Sequence, residues 1–181
     1  MTEREALYDD LAGIVDLFGA LTRAELERSL DELAFKQGRD ADADALAEAV
    51  DGAIRDYYLV ALDGESANDA ADAADDAESE AELLAAGPVA FPSLPPNAED
   101  LPHILDVPDR NVGREAVAAA AADRLRAEAS EAVADADGAP DEATRERLRT
   151  LLDVTYDVEA WAGEAADVGD VRADLDAALD G

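Results

Sequence analysis

The chain has 181 residues, 46 of them Asp or Glu against 14 Lys or Arg, for a formal charge of -32. That length suits one domain or two small ones with a real core. The lack of cysteine excludes disulfide frameworks and thiolate metal sites. No apolar run approaches the roughly 20 residues of a membrane-spanning helix, and the N-terminus MTEREALYDD has no basic-apolar signal segment.

Residues 11–38, LAGIVDLFGALTRAELERSLDELAFKQG, predict two helices meeting at a tight corner. Thr22 and Glu25 have the spacing of a capping box, in which hydroxyl and carboxylate each accept from the other residue's backbone N–H. Leu21 and Leu26 have the spacing of a hydrophobic staple, so a helix starts at Arg23. Its stripe is Leu26, Leu30, Leu33 and Ala34, and Gly38 suits the left-handed residue past its end. The preceding helix carries Leu7, Leu11, Ile14, Val15 and Phe18 on one face. The two stripes share a core.

A third helix follows, capped by Asp40 or Asp42, with Leu46, Val50, Ile54 and Tyr57 on one face. Residues 57–62, YYLVAL, then have the β-branched and aromatic content of a strand and end in the turn pair Asp63-Gly64. The apolar run 83–91 is its partner, with Pro88 marking an edge or an interruption. Three helices and a two-stranded hairpin predict a winged-helix-like module over residues 1–94. Its wing is the loop 65–82, acidic and without any cation. Asp69, Asp72, Asp75 and Asp76 lack the spacing and central glycine of a calcium-binding EF-hand loop, so that loop reads as solvated.

Five of the seven prolines fall between Phe91 and Pro108. Residues 95–110 therefore predict a stiff, extended connection that packs along a domain surface. Residues 111–181 read as a helical region: an Ala-rich helix to about Ala136, another opened by Asp141 or Pro140, a short strand in which Val154, Tyr156 and Val158 alternate, and a last helix over 168–179. The fold class is mainly α with a small antiparallel hairpin.

The single histidine, His103, has Asp100 and Asp106 three residues to either side, a set able to orient an imidazole or bind a metal. No second ligand or nucleophile accompanies it, and Pro102 opposes a regular helix there. Phosphate-loop, dinucleotide, nucleophile-elbow and zinc-protease motifs are all absent, so no catalytic residue and no cofactor is expected. A winged helix raises the question of DNA. The third-helix region offers Lys36, Arg39 and Arg55, yet between Arg39 and Asp56 two arginines face six acids, which disfavours phosphate binding. Aromatic anchors for a protein partner are Tyr57, Tyr58, Phe91, Tyr156 and Trp161.

The stretches LAGIVDLFGALTRAELERSLDELAFKQG, DLPHILDVPDR and LLDVTYDVEAWA resemble an uncharacterised family of haloarchaeal proteins, a domain of unknown function. The resemblance implies a salt-rich cytoplasm and brings no activity, cofactor or site residue. The composition agrees with it: in molar salt the Debye length is about 3 Å, which screens the repulsion among surface carboxylates. Acidity spread from end to end reads as salt adaptation rather than nucleic-acid mimicry. The expectation is a cytoplasmic, non-enzymatic interaction or regulatory protein. Its alternatives are a winged-helix DNA-binding regulator and a small metal protein or enzyme centred on His103.

Overall fold

Thr22 and Glu25 close the capping box that their spacing predicts. Glu25 N–H donates to Thr22 Oγ1 at 3.2 Å, and Thr22 N–H donates to Glu25 Oε2 at 2.7 Å. The helix they open is α2 (Arg23–Lys36), and Gly38 beyond it takes φ +67°. The corner belongs to a computed structural model that describes residues 2–38, 42–64, 81–108, 110–136 and 140–180. The chain divides into two compact units, residues 1–117 and 118–181.

Unit 1 begins with α1 (Glu3–Phe18), which has its own capping box between Thr2 and Glu5. Strand β1 (Leu21–Thr22), α2, α3 (Ala43–Arg55), β2 (Leu59–Leu62) and β3 (Leu83–Ala86) follow. Asp42 caps α3 by accepting from Ala45 N–H at 3.2 Å; Asp40 lies outside the described residues. The sheet is antiparallel with β3 in the centre, pairing Leu21 with Leu84 on one side and Leu59 with Ala86 on the other.

Sequence reading anticipated β2 and β3 and missed β1. Two residues carry no period of their own, and Thr22 reads from the sequence as a cap; it serves as both. Strand β2 begins two residues later than expected, because Tyr57 sits at φ +63° and turns the chain out of α3. Strand β3 ends before Gly87-Pro88. Most of the acidic loop, residues 65–80, lies outside the described residues.

The core of unit 1 joins Leu11, Ile14, Val15 and Phe18 of α1 to Leu26, Leu30 and Leu33 of α2, Val50 and Ala53 of α3, and Leu59 and Leu84 of the sheet. The proline-rich stretch then returns across α1. Phe91 N–H donates to Asp9 Oδ1 at 2.8 Å and Ser93 N–H to the Asp9 carbonyl at 3.1 Å. Gly13 permits this approach, since a Cβ there would stand 1.8 Å from the Ser93 carbonyl oxygen. Further on, a short 3-10 turn (Ala98–Asp100) and α4 (Leu101–Ile104) bury Ala98 and Leu101 against the same core. Gly19, at φ +79°, would likewise meet the Arg110 carbonyl oxygen at 1.8 Å if it carried a Cβ.

Arg110 ends this return. Its Nη1 and Nη2 donate to Glu25 Oε2 and Oε1 at 2.7 and 3.0 Å, and its N–H donates to the Phe18 carbonyl at 3.2 Å. Both side chains are nearly buried, 14% exposed for Arg110 and 11% for Glu25. Burial alone would raise the Glu25 pKa; the hydrogen bonds from Arg110 and Thr22 outweigh it and hold the carboxyl below its ordinary range.

Unit 2 takes its core from α5 (Arg114–Asp135), α6 (Glu142–Ala162) and α7 (Gly169–Asp180). Asp141 caps α6, accepting from Thr144 N–H at 2.8 Å. Ala121, Ala122, Leu125 and Ala129 of α5 are buried, as are Leu148, Leu151, Val154 and Val158 of α6 and Val171 and Leu175 of α7. The strand expected around Tyr156 is instead the continuation of α6. Val154 and Val158 alternate with Tyr156, but they are also four residues apart and extend the spacing of Leu148 and Leu151. Both valines are buried while Tyr156 is exposed, which is a helical face and not a pleat.

Two predictions follow from these close contacts. Gly13→Ala should lower the melting temperature: overpacking against backbone costs about 1–3 kcal/mol, against roughly 1 kcal/mol gained from helix propensity. Gly113→Ala, where a Cβ meets nothing within 4 Å, is the control for that thermal scan. Glu25→Gln keeps an acceptor for the cap but leaves Arg110 facing a neutral group, and should cost about 3 kcal/mol. Because the folded-state pKa of Glu25 is lowered, its stabilisation is complete above the ordinary value of 4.5 and is lost as pH falls through the folded value. Denaturant titrations of wild type and Glu25→Gln should therefore converge below that pH.

Candidate functional site

Three of the five aromatic anchors divide sharply by exposure, and two are half-buried. Tyr57 is 1% exposed, so it offers no surface to a partner, which corrects its place among the contact residues. Tyr58 is half-buried, its ring edge-on to Tyr8 at 5.3 Å between centroids. Its hydroxyl pKa is raised by burial first and then by the carboxylates of Asp9, Glu5 and Asp56. Phe91 in unit 1 is 81% exposed. In unit 2, Tyr156 is exposed, with the Arg172 guanidinium 4.2 Å from its ring centre, and Trp161 is half-buried.

His103 lies exposed on the one-turn helix α4, and Asp100 and Asp106 are exposed as well. Among the described residues no group of three or more His, Asp or Glu side chains is placed to hold a metal ion, so this trio is not brought together as one. Asp100 instead accepts from Lys36 Nζ at 3.3 Å. Arg55 Nε lies 3.5 Å from Asp56, and Arg39 is outside the described residues. On α3, Asp44, Glu48 and Asp51 are exposed, and Asp51 accepts from Arg23 at 2.5 Å. Lys36 and Arg55 are therefore set against carboxylates.

An apolar pocket of about 160 Å³ opens between the helices of unit 1. Leu7, Leu11 and Ile14 of α1, Leu30 and Leu33 of α2 and Leu46 of α3 form its walls, with Pro95 from the returning segment. The walls at i, i+4 and i+7 along α1 are the stripe legible in the sequence. What sequence reading missed is that the stripe outlasts its cover: Leu7 is 41% exposed and Leu94, beside Pro95, 48%. Asp10 is the only charged residue in the lining among the described residues. It accepts from Ser93 Oγ at 2.7 Å and has no cation beside it among the described residues. Phe35, next in sequence to the lining residue Ala34, is 78% exposed.

A second pocket, of about 230 Å³, lies in unit 2 between Arg126, Ser130 and Val133 of α5 and Asp170, Val171 and Asp174 of α7. Arg126 is engaged there, donating to Asp123 at 2.9 Å and to the Asp167 carbonyl at 2.7 Å. Chemically, unit 1 offers an apolar cleft with one acid, and unit 2 a polar recess whose cation is already committed. Among the described residues no helix is long and apolar enough to cross a membrane.

No curated protein and no solved structure matches the chain. A model of a family of unknown function, DUF7109, matches residues 9–180, which include both units almost entirely, and the chain belongs to that family.

Proposed function

We propose that this is a non-enzymatic protein of a salt-rich cytoplasm whose N-terminal module is of winged-helix type and holds a protein partner rather than DNA. The order α1-β1-α2-α3-β2-β3, with β3 between β1 and β2, supports the winged-helix reading. The charge of -32 supports a salt-rich setting, because molar salt screens such self-repulsion. In this reading the module extends to about residue 94, the proline-rich stretch 95–110 is its connection, and residues 111–181 add a helical surface that carries Tyr156.

The observation that carries the choice of partner is the charge of α3. Binding to duplex DNA depends on cations that displace counterions from phosphates. Helix α3 offers Arg55 alone against Asp44, Glu48 and Asp51, and Arg55 adjoins Asp56. A protein partner asks for no such field, and exposed Phe35, Phe91 and Leu94 supply apolar contact area. The second reading, a DNA-binding regulator using Lys36, Arg39 and Arg55, is favoured by the element order alone. Lys36 would have to leave Asp100 to serve it.

Purified chain used as bait in molar potassium chloride should retain a stoichiometric partner, and a labelled DNA duplex should show no saturable binding as the salt is lowered. Recovery of the bait alone would sink the interaction reading. Duplex binding that weakens steeply with rising salt would establish the regulator in its place.

A further inference from the structure

We propose that the pocket between α1, α2 and the start of α3 receives one apolar side chain of a basic amphipathic helix, a deduction that rests on the protein-interaction reading above. An apolar cavity of about 150 Å³ holds a benzene-sized group, so the pocket, at about 160 Å³, takes a single Leu, Ile or Phe side chain. Its mouth is apolar too, with the lining residue Leu7 half in water. An amphipathic helix laid into a groove makes this kind of contact, presenting anchors at i, i+3 or i+4.

Charge selects the occupant. The three helices around the pocket carry twelve carboxylates and five cations, and four of those cations, Arg4, Arg23, Lys36 and Arg55, already lie within ion-pair distance of Asp56, Asp51 or Asp100. Asp10 in the lining has a hydroxyl partner and no cation among the described residues. A helix with Lys or Arg flanking its apolar anchor complements this rim. An acidic helix, this chain's own acidic helices included, sets carboxylate directly against carboxylate at the rim, a contact too short for molar salt to screen fully.

The test uses the full chain in molar potassium chloride and two fluorescent helical peptides that share one Leu pattern, with Lys and Arg on the polar face of one and Glu on that of the other. The basic peptide should bind, and more tightly than the acidic one, by about two- to five-fold for each exposed contact pair that survives the salt. Ala34→Trp, which fills the pocket, should weaken that binding at least about tenfold with the thermal transition retained. If Ala34→Trp does not fold, Leu7→Asp at the exposed mouth serves instead. Asp10→Asn should narrow the preference for the basic peptide.

Equal binding of the two peptides, or binding that Ala34→Trp leaves intact, would overturn the proposal. So would a dimer in sedimentation that Ala34→Trp abolishes, since the occupant is then a second copy. If neither peptide binds while the bait still retains a partner, the pocket assignment falls and the interaction reading stands.

Discussion

The carboxylate of Glu25 holds three donors at once, and the layout of unit 1 depends on it. One oxygen accepts from Thr22 N–H and Arg110 Nη1, the other from Arg110 Nη2. Removing a carboxylate and a guanidinium from water costs several kcal/mol each, which only good geometry and full hydrogen bonding offset. The bidentate fork meets that demand and also fixes orientation, as a greasy contact would not. Through Thr22 it fixes the entry to α2 and the position of β1 beside β3; through Arg110 it pins the returning chain to the Phe18 and Ala20 carbonyls. The α1–α2 corner is thus held from outside by a residue 85 positions away.

Arginine plays the same part in unit 2. Glu128 lies between Arg124, four residues on the other side of its turn, and Arg147 of α6. Arg172 of α7 donates to Thr155 Oγ1 at 3.1 Å and to Glu159 at 2.5 Å while stacking on Tyr156. Arg172 makes directed bonds to two residues at once, which a lysine point charge cannot reproduce. With 13 arginines and one lysine among 46 acids, cations are scarce and are used where elements must be joined. The buried alanines of α5 are consistent with this economy, since small side chains supply little apolar area of their own.

Local chemistry was legible in the sequence. The caps at Thr22, Asp42 and Asp141 are written within four residues, and Gly38 announces its left-handed turn. The alternation around Tyr156 misled because a period of two and a spacing of four coincide at Val154 and Val158. Contacts across long separations left no such mark: nothing beside Glu25 names Arg110, and nothing beside Gly13 names Ser93. The candidate site was least legible. His103 drew notice as the only histidine and lies exposed on a single turn, whereas the pocket is made of ordinary stripe residues whose cover happens to stop short. Which part of a hydrophobic stripe stays open is decided by the elements packed on it, not by the stripe.

The return of the chain to Gly19 sets an order on biosynthesis. Strand β3 must be made before β1 and β2 have anything to pair with, and Arg110 before Glu25 has a counter-ion. Helices α1 to α3 can form early from local contacts, but the apolar faces that Ala98 and Leu101 will cover stay open until those residues emerge, and until Arg110 follows them Glu25 is only a cap. A nascent chain stalled before Ala98 would therefore display sticky helices without their strap. Unit 1 is closed by the last part of its own chain, and Glu25 waits longest for its partner.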